Sequence, residues 1–258
     1  MNETAVVEQE TEHPAAKVPE VTLLFWVLKL AATTLGETGG DTLSMTMNLG
    51  YLTSTAIFGA LFAACVAAQI KAKRFHPFLY WFTIVATTTV GTTLADFADR
   101  SLGIGYTGGS ALLLVLLLGS LFVWYRTLGT VAVDTIRTPK AEVFYWVTIM
   151  FSQTLGTALG DWTADSAGLG YTGAAAIFGS LLALLGVLYF WTRISRTFLF
   201  WAAFILTRPM GAVLGDFLDK PHSHGGLALS RPLASGVLFA FMTILLLVFK
   251  QRPARSSH

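Results

Sequence analysis

The residues able to do chemistry in this chain are mostly carboxylates, and they come in pairs: Glu37 with Asp41, Asp96 with Asp99, Asp161 with Asp165, and Asp216 with Asp219. Beyond an acidic N-terminal stretch, only Asp134 and Glu142 stand apart from them. Residues three, four and seven apart share one face of a helix. That face carries Thr34 with Glu37 and Asp41, then Thr89 and Thr92 with Asp96 and Asp99, then Thr154 and Thr157 with Asp161 and Asp165. The last set departs, with Pro209 and Ala212 before Asp216 and Asp219. Carboxylates and hydroxyls converging without thiols are hard oxygen ligands, suited to Mg2+, Ca2+ or Mn2+ rather than Cu+ or Zn2+. Like charges one turn apart destabilise an exposed helix by about 0.2–0.5 kcal/mol, and the repulsion grows in less polar surroundings. The eight acids therefore call for counter-ions, and a divalent metal is the candidate. Arg100, Lys220 and Arg208 are the basic residues near them in sequence.

The elements that position the acids are repeated. Fifteen residues before Asp41, Asp96, Asp161 and Asp216 stand Trp26, Trp81, Trp146 and Trp201. Five before stand Gly36, Gly91, Gly156 and Gly211, and one before stand Gly40, Ala95, Gly160 and Gly215. Nine after stand Gly50, Gly105, Gly170 and Gly225, followed by Tyr51, Tyr106 and Tyr171 in the first three units. These columns imply four copies of one unit. Each unit is an outgoing helix with Trp and Asp, a short Gly-rich turn, and a returning apolar helix. A longer connection around Arg126 to Lys140 divides the chain into halves of two units.

The apolar runs are long enough to cross a bilayer, which takes about 20 helical residues; Leu49 to Ile70, Gly105 to Trp124, Gly170 to Trp191 and Leu227 to Phe249 are examples. Only 12 % of residues are charged, against about 25 % in soluble domains. The expected fold is an all-α membrane protein of eight transmembrane helices from four parallel two-helix repeats, spanning 21–72, 76–127, 141–193 and 196–249. Residues 1–20 are expected to be a disordered acidic tail with no signal peptide, and residues 250–258 a basic tail. Cys65 reads as a small buried hydrophobe and excludes an internal disulfide. Units with an even number of crossings share one orientation and are related by an axis along the membrane normal.

Basic residues collect on one side. Lys71, Lys73, Arg74, Arg126, Arg137, Lys140, Arg193 and Arg196 lie in connections on the side of the termini, with Lys250, Arg252 and Arg255 in the C-terminal tail. The opposite turns hold Arg100, Lys220 and Arg231. The positive-inside rule then places both termini in the cytoplasm. The repeat tryptophans fall at the cytoplasmic interface and read as interfacial anchors. The repeat aspartates lie about 22 Å further along, in the outer third of the bilayer. Charge inside a span costs at least ~2.5 kcal/mol, which marks the acids as functional candidates.

Other features refine the reading. The small pairs Gly36/Gly40, Gly91/Ala95, Gly156/Gly160 and Gly211/Gly215 allow close helix approach. Gly39-Gly40 is expected to unwind the first helix before Asp41. Arg208 replaces the Thr33, Thr88 or Gln153 of the other units and should pair with a carboxylate. His222 and His224 are either solvated loop residues or a metal-capture or pH-sensing element.

The tryptophan column and strings such as "GTTLADFADRSLGIGYTGG" and "GTALGDWTADSAGLGYTGA" resemble a bacterial family of membrane proteins with four tandem repeats of unknown function. Each repeat of that family has two transmembrane segments and a signature tryptophan. The resemblance covers Val21 to Phe249 and implies the architecture and a bacterial inner-membrane location, without an activity. "GETGGDT" in the first unit also looks like the E-x-G-D-x-T motif of small calcium and manganese exchangers, one residue wider.

The function expected from the residues is transport of a cation, most simply Mn2+, Mg2+ or Ca2+. Glu37, Asp41, Asp96, Asp99, Asp161, Asp165, Asp216 and Asp219 would be its ligands. A cation channel and a non-transporting assembly or sensor protein are the alternatives. The chain is not expected to be an enzyme. It has no nucleotide-binding loop, and the G-x-G-D motif of intramembrane aspartyl proteases fails at Ala158 and Val213. Its partners are the lipid bilayer and the metal cation, with no nucleic acid and no resident cofactor; homo-oligomerisation stays open. Single cysteines near Ser101 and Ser166 should react with an impermeant thiol reagent added outside, while those at Lys73 and Ser195 should not. The reverse labelling pattern would invert the orientation.

Overall fold

The computed structural model describes residues 16–254. They form eight long helices: α1 (Leu23–Asp41), α2 (Tyr51–Lys71), α3 (Pro77–Asp96), α4 (Tyr106–Leu128), α5 (Pro139–Asp161), α6 (Gly170–Trp191), α7 (Arg196–Asp219) and α8 (Arg231–Val248). Six of these, all but α1 and α5, are long and apolar enough on their own to span a membrane. α1 and α5 have 19 and 23 residues and bury their polar side chains within the bundle. The chain is an all-α membrane protein of eight transmembrane helices.

Local sequence sets the helix ends. Side-chain oxygens of Thr22, Thr138 and Ser195 accept from the amides of Phe25, Ala141 and Phe198, capping α1, α5 and α7. Pro77 opens α3, where its missing N–H costs nothing. The first three outgoing helices continue past their aspartates into π-helical turns, Thr42–Thr46, Phe97–Ser101 and Trp162–Ser166. α1 stays helical through Gly39-Gly40 to Asp41, so the expected unwinding is absent and the widening follows the aspartate instead. The glycine column nine residues on has a conformational cause: Gly50, Gly105, Gly170 and Gly225 all have φ between 63° and 81°, which a side chain disfavours.

Outgoing helices α1, α3, α5 and α7 form a closed ring in which α1 meets α3 and α7, and α5 meets the same two. Each returning helix packs on the outgoing helix of the next unit: α2 on α3, α4 on α5, α6 on α7, and α8 back on α1. The inner helices are correspondingly enclosed, with 72 % of the apolar stretch of α3 buried against 11 % of that of α2.

The same cyclic rule runs through the side chains. Gly36 faces Thr88, Gly91 faces Gln153, Gly156 faces Arg208 and Gly211 faces Thr33, each against the following unit. No space remains at these four crossings for a β-carbon. At the other end of the ring Phe25 meets Trp81 at 5.4 Å, Tyr80 meets Trp146 at 5.8 Å, Tyr145 meets Trp201 at 6.2 Å and Phe200 meets Trp26 at 5.8 Å. Trp81, Trp146 and Trp201 are buried in this aromatic layer, and Trp26 is half-buried. The tryptophans thus join one repeat to the next rather than anchoring at the lipid interface, because each ring finds an aromatic partner on the neighbouring inner helix.

The aromatic end is also strapped. Residues 16–20 do not behave as part of a tail: Ala254 N–H donates to Val18 O at 2.8 Å and Glu20 N–H to Arg252 O at 2.9 Å. Lys17 Nζ donates to Gln69 O, Ile70 O and Glu142 Oε1, and Val18 is buried in the aromatic core. The rest of the expected acidic tail, and residues beyond 254 in the basic one, lie outside the described residues. Both ends of the described chain therefore meet on one face of the bundle. Gly211→Leu should lower thermal stability by the cost of overpacking, about 1–3 kcal/mol. Gly119→Leu, where the added side chain meets open space, should leave the melting temperature unchanged.

Candidate functional site

The ring places the four repeat aspartates at one level. Asp41, Asp96 and Asp161 are the last residues of α1, α3 and α5, and Asp216 stands near the end of α7. All four are buried, as are Glu37 one turn below and Asp219 one turn above. Carboxylate oxygens of Glu37, Asp161 and Asp216, from three different units, lie within 4.8 Å of one another. Those of Asp41, Asp216 and Asp219 form a second such group.

Basic side chains enter this cluster from two sides. Arg100 Nε lies 2.9 Å from Asp96 Oδ1 and its Nη2 3.7 Å from Asp161 Oδ2. Lys220 Nζ lies 2.9 Å from both Asp41 Oδ2 and Asp216 Oδ1, and 4.0 Å from Asp219 Oδ1. Burial opposes the charge on Lys220, but Asp216, Asp41 and Asp219 outweigh it and hold the ammonium above the ordinary lysine range. Arg231, at the start of α8, adds contacts of 3.0 Å to Asp219 Oδ2 and 3.6 Å to Asp41 Oδ2.

Below the aspartates, Arg208 is completely buried and extends across the axis. Its Nη2 donates to Glu37 Oε2 at 3.0 Å, to Thr92 Oγ1 at 2.6 Å and to Thr157 Oγ1. One guanidinium nitrogen thus ties α7 to α1, α3 and α5. The threonines four residues before the aspartates serve this arginine as acceptors, while Gly160 faces Ala212 at the equivalent level of α7. Six buried carboxylates face four cations in the cluster, Arg100, Arg208, Lys220 and Arg231. Six against four leaves a formal deficit of two positive charges.

The two remaining sequence candidates are not brought in. Asp165 is exposed, and Asp99 is half-buried beside α4, where its Oδ1 approaches Gly109. The π-helical turns carry both away from the axis. His222 and His224 are exposed in a 3-10 turn, with His222 Nδ1 2.8 Å from Gly226 O, and neither joins the carboxylates.

Sequence reasoning missed two members of the axis. Arg231 was assigned only to a turn, although its place at the opening of α8 brings it back onto α1. Lys29 is fully buried on the inner face of α1, with Nζ 4.1 Å from the centre of the Phe204 ring and no hydrogen-bond partner. A lysine twelve residues before an aspartate, opposite Ile84, Ile149 and Phe204 in the other units, was the available signal.

The sequence signature of a repeat of unknown function (DUF347) matches the chain four times, at residues 24–75, 79–130, 144–195 and 199–252. Neither a curated protein nor a solved structure matches it.

The Arg208–Glu37 contact carries a specific expectation. Arg208→Met strands a buried carboxylate and should destabilise by about 3–5 kcal/mol. Adding Glu37→Gln to that variant should recover a substantial part of the loss in chemical or thermal unfolding. Additive losses would mean that the two side chains do not act as a pair.

Proposed function

We propose that this chain, which belongs to the family defined by that repeat of unknown function, is a membrane transporter of cations with a divalent metal as its substrate. The observation that carries the reading is the charge deficit at the acidic end. With all six carboxylates counted as ionised, two negative charges are unmatched in a cluster where Glu37, Asp161 and Asp216 from three repeats approach within 4.8 Å. One divalent cation supplies the missing charge, and the all-oxygen donor set suits a hard ion. Arg100 and Lys220 reach the cluster from beyond the helix ends and stay paired with their aspartates, so the metal adds to them and no repeat aspartate is left bare when it leaves.

A carrier is favoured over an open channel by the packed aromatic layer and strap at the opposite end. The basic bias of the connections supports insertion into a bacterial inner membrane with both termini in the cytoplasm. The acidic end then opens outward. No catalytic role is assigned to the acids.

One observation favours a second reading, a non-transporting assembly or sensor protein: each of the six buried acids already contacts a basic side chain. In that case the ion pairs are clasps between repeats. Asp161→Asn separates the two. If the site takes a metal, the substitution relieves like-charge repulsion, so the metal-free protein should melt no lower than wild type while flux into liposomes falls strongly. Mn2+, Mg2+ or Ca2+ at a hundredfold excess over Kd should stabilise wild type by about 2.7 kcal/mol and the variant much less. If the acids are clasps, no ion shifts wild type and the variant melts earlier.

A further inference from the structure

The middle of the bundle holds a second, oppositely charged group that the carboxylate cluster does not use. Lys29 lies two turns of α1 toward the aromatic end from Glu37, about 12 Å along the helix, on a level walled by Ile84, Ile149 and Phe204. It is wholly buried and makes no hydrogen bond. The Phe204 ring beneath it offers a cation–π contact but no acceptor. On the next level stand Arg208 and Gln153, both wholly buried. Arg208 spends only Nη2 on Glu37 and the threonines, so its Nε and Nη1 have no partner. The Gln153 amide has none either. Glu37 pairs with Arg208, while Lys29 has no ion-pair or hydrogen-bond partner among the described residues.

Buried polar groups in native proteins are nearly always satisfied, and an unsatisfied cluster signals a water or ion. Water can accept hydrogen bonds from these donors but gives Lys29 no counter-charge; a small anion does both. We propose that the waist of the bundle is a binding site for a monovalent inorganic anion of chloride size, held by Lys29 Nζ and the free edge of Arg208, with the Gln153 amide as neutral donor. The site lies on the same axis as the acidic cluster but at a different depth, and it stands whether or not that cluster takes a metal.

The test uses the full chain purified in detergent with chelator present, so that divalent metals play no part. Melting temperature is followed while gluconate is replaced by chloride at constant ionic strength. Wild type should show a rise in melting temperature that saturates with chloride, and Lys29→Met should lose that rise. Bromide-soaked crystals of wild type should show an anomalous peak between Lys29 and Arg208. No difference between chloride and gluconate overturns the proposal, and so does a chloride effect that survives unchanged in Lys29→Met, which would be a surface salt effect. If Lys29→Met does not fold, the bromide peak decides alone. Its absence means that water, or a neutral lysine amine, occupies the waist.

Discussion

Carboxylates buried inside a membrane-embedded bundle are tolerated only where positive charge is brought to them, and that requirement governs most of what distinguishes one repeat from another. Removing an ion from water costs several kcal/mol even after relaxation, and attraction in a low-dielectric interior offsets this only with good geometry. The ring of inner helices meets the condition with long basic side chains that begin outside the cluster and reach into it. Arg100 and Lys220 each stand four residues beyond a repeat aspartate, at the mouth of the bundle, and each bridges its own aspartate to that of the next unit. Asp96 is joined to Asp161, and Asp216 to Asp41. Cations come from the second and fourth units only, so fourfold architecture carries twofold electrostatics.

Arg208 breaks the remaining symmetry. Thr33, Thr88 and Gln153 occupy its position in the other units. The two threonines return their hydroxyls to backbone carbonyls of neighbouring turns. An arginine there has nowhere to go but across the axis, where Glu37 replaces the Thr92, Thr157 or Ala212 of the other units. The two exceptional residues meet each other at 3.0 Å. A pair of departures that compensate in space is the arrangement expected when a duplicated scaffold acquires one asymmetric function, and it separates the acidic mouth from the Lys29 level below.

Much of this was legible in the sequence because duplication turns structural constraints into columns. The small pairs before each aspartate, the Gly-rich turn after it, and the even number of helices per unit pointed to close helix approach, short turns and parallel repeats. The placing of the acids on one face of the outgoing helices also followed from helical periodicity. What escaped was set by closure. Nothing local in "RPLASG" says that Arg231 returns to Asp41, because α8 reaches α1 only once the ring has closed. Asp99 and Asp165 looked equivalent to Asp219 by spacing, yet each lies within a π-helical turn that carries it outward, while α7 continues regularly to Asp219. The tryptophan column was misread for a related reason. An amphipathic ring at that depth suits an interface when its helix faces lipid, but these helices face one another.

The two ends of the ring consequently differ in how readily they can change. At the aromatic end each inner helix is joined to the next by ring contacts, and the chain ends are paired across them. Opening there would expose large apolar surfaces and break the strap's hydrogen bonds together. At the acidic end the links between units are single ion pairs made by side chains entering from the turns, and the helices widen into π-helical turns immediately beyond them. Such turns recur at functional sites because one residue of slack lets a helix end shift without losing its backbone hydrogen bonds. Arg231 and Lys220 reach Asp41 from the opening of α8 and the end of α7, whereas Arg208 can leave Glu37 only if α7 moves relative to α1, since Gly211 and Thr33 lock that crossing. The counter-ions at the mouth are thus held by side-chain contacts alone, whereas the Arg208–Glu37 pair is held by the packing of the inner ring.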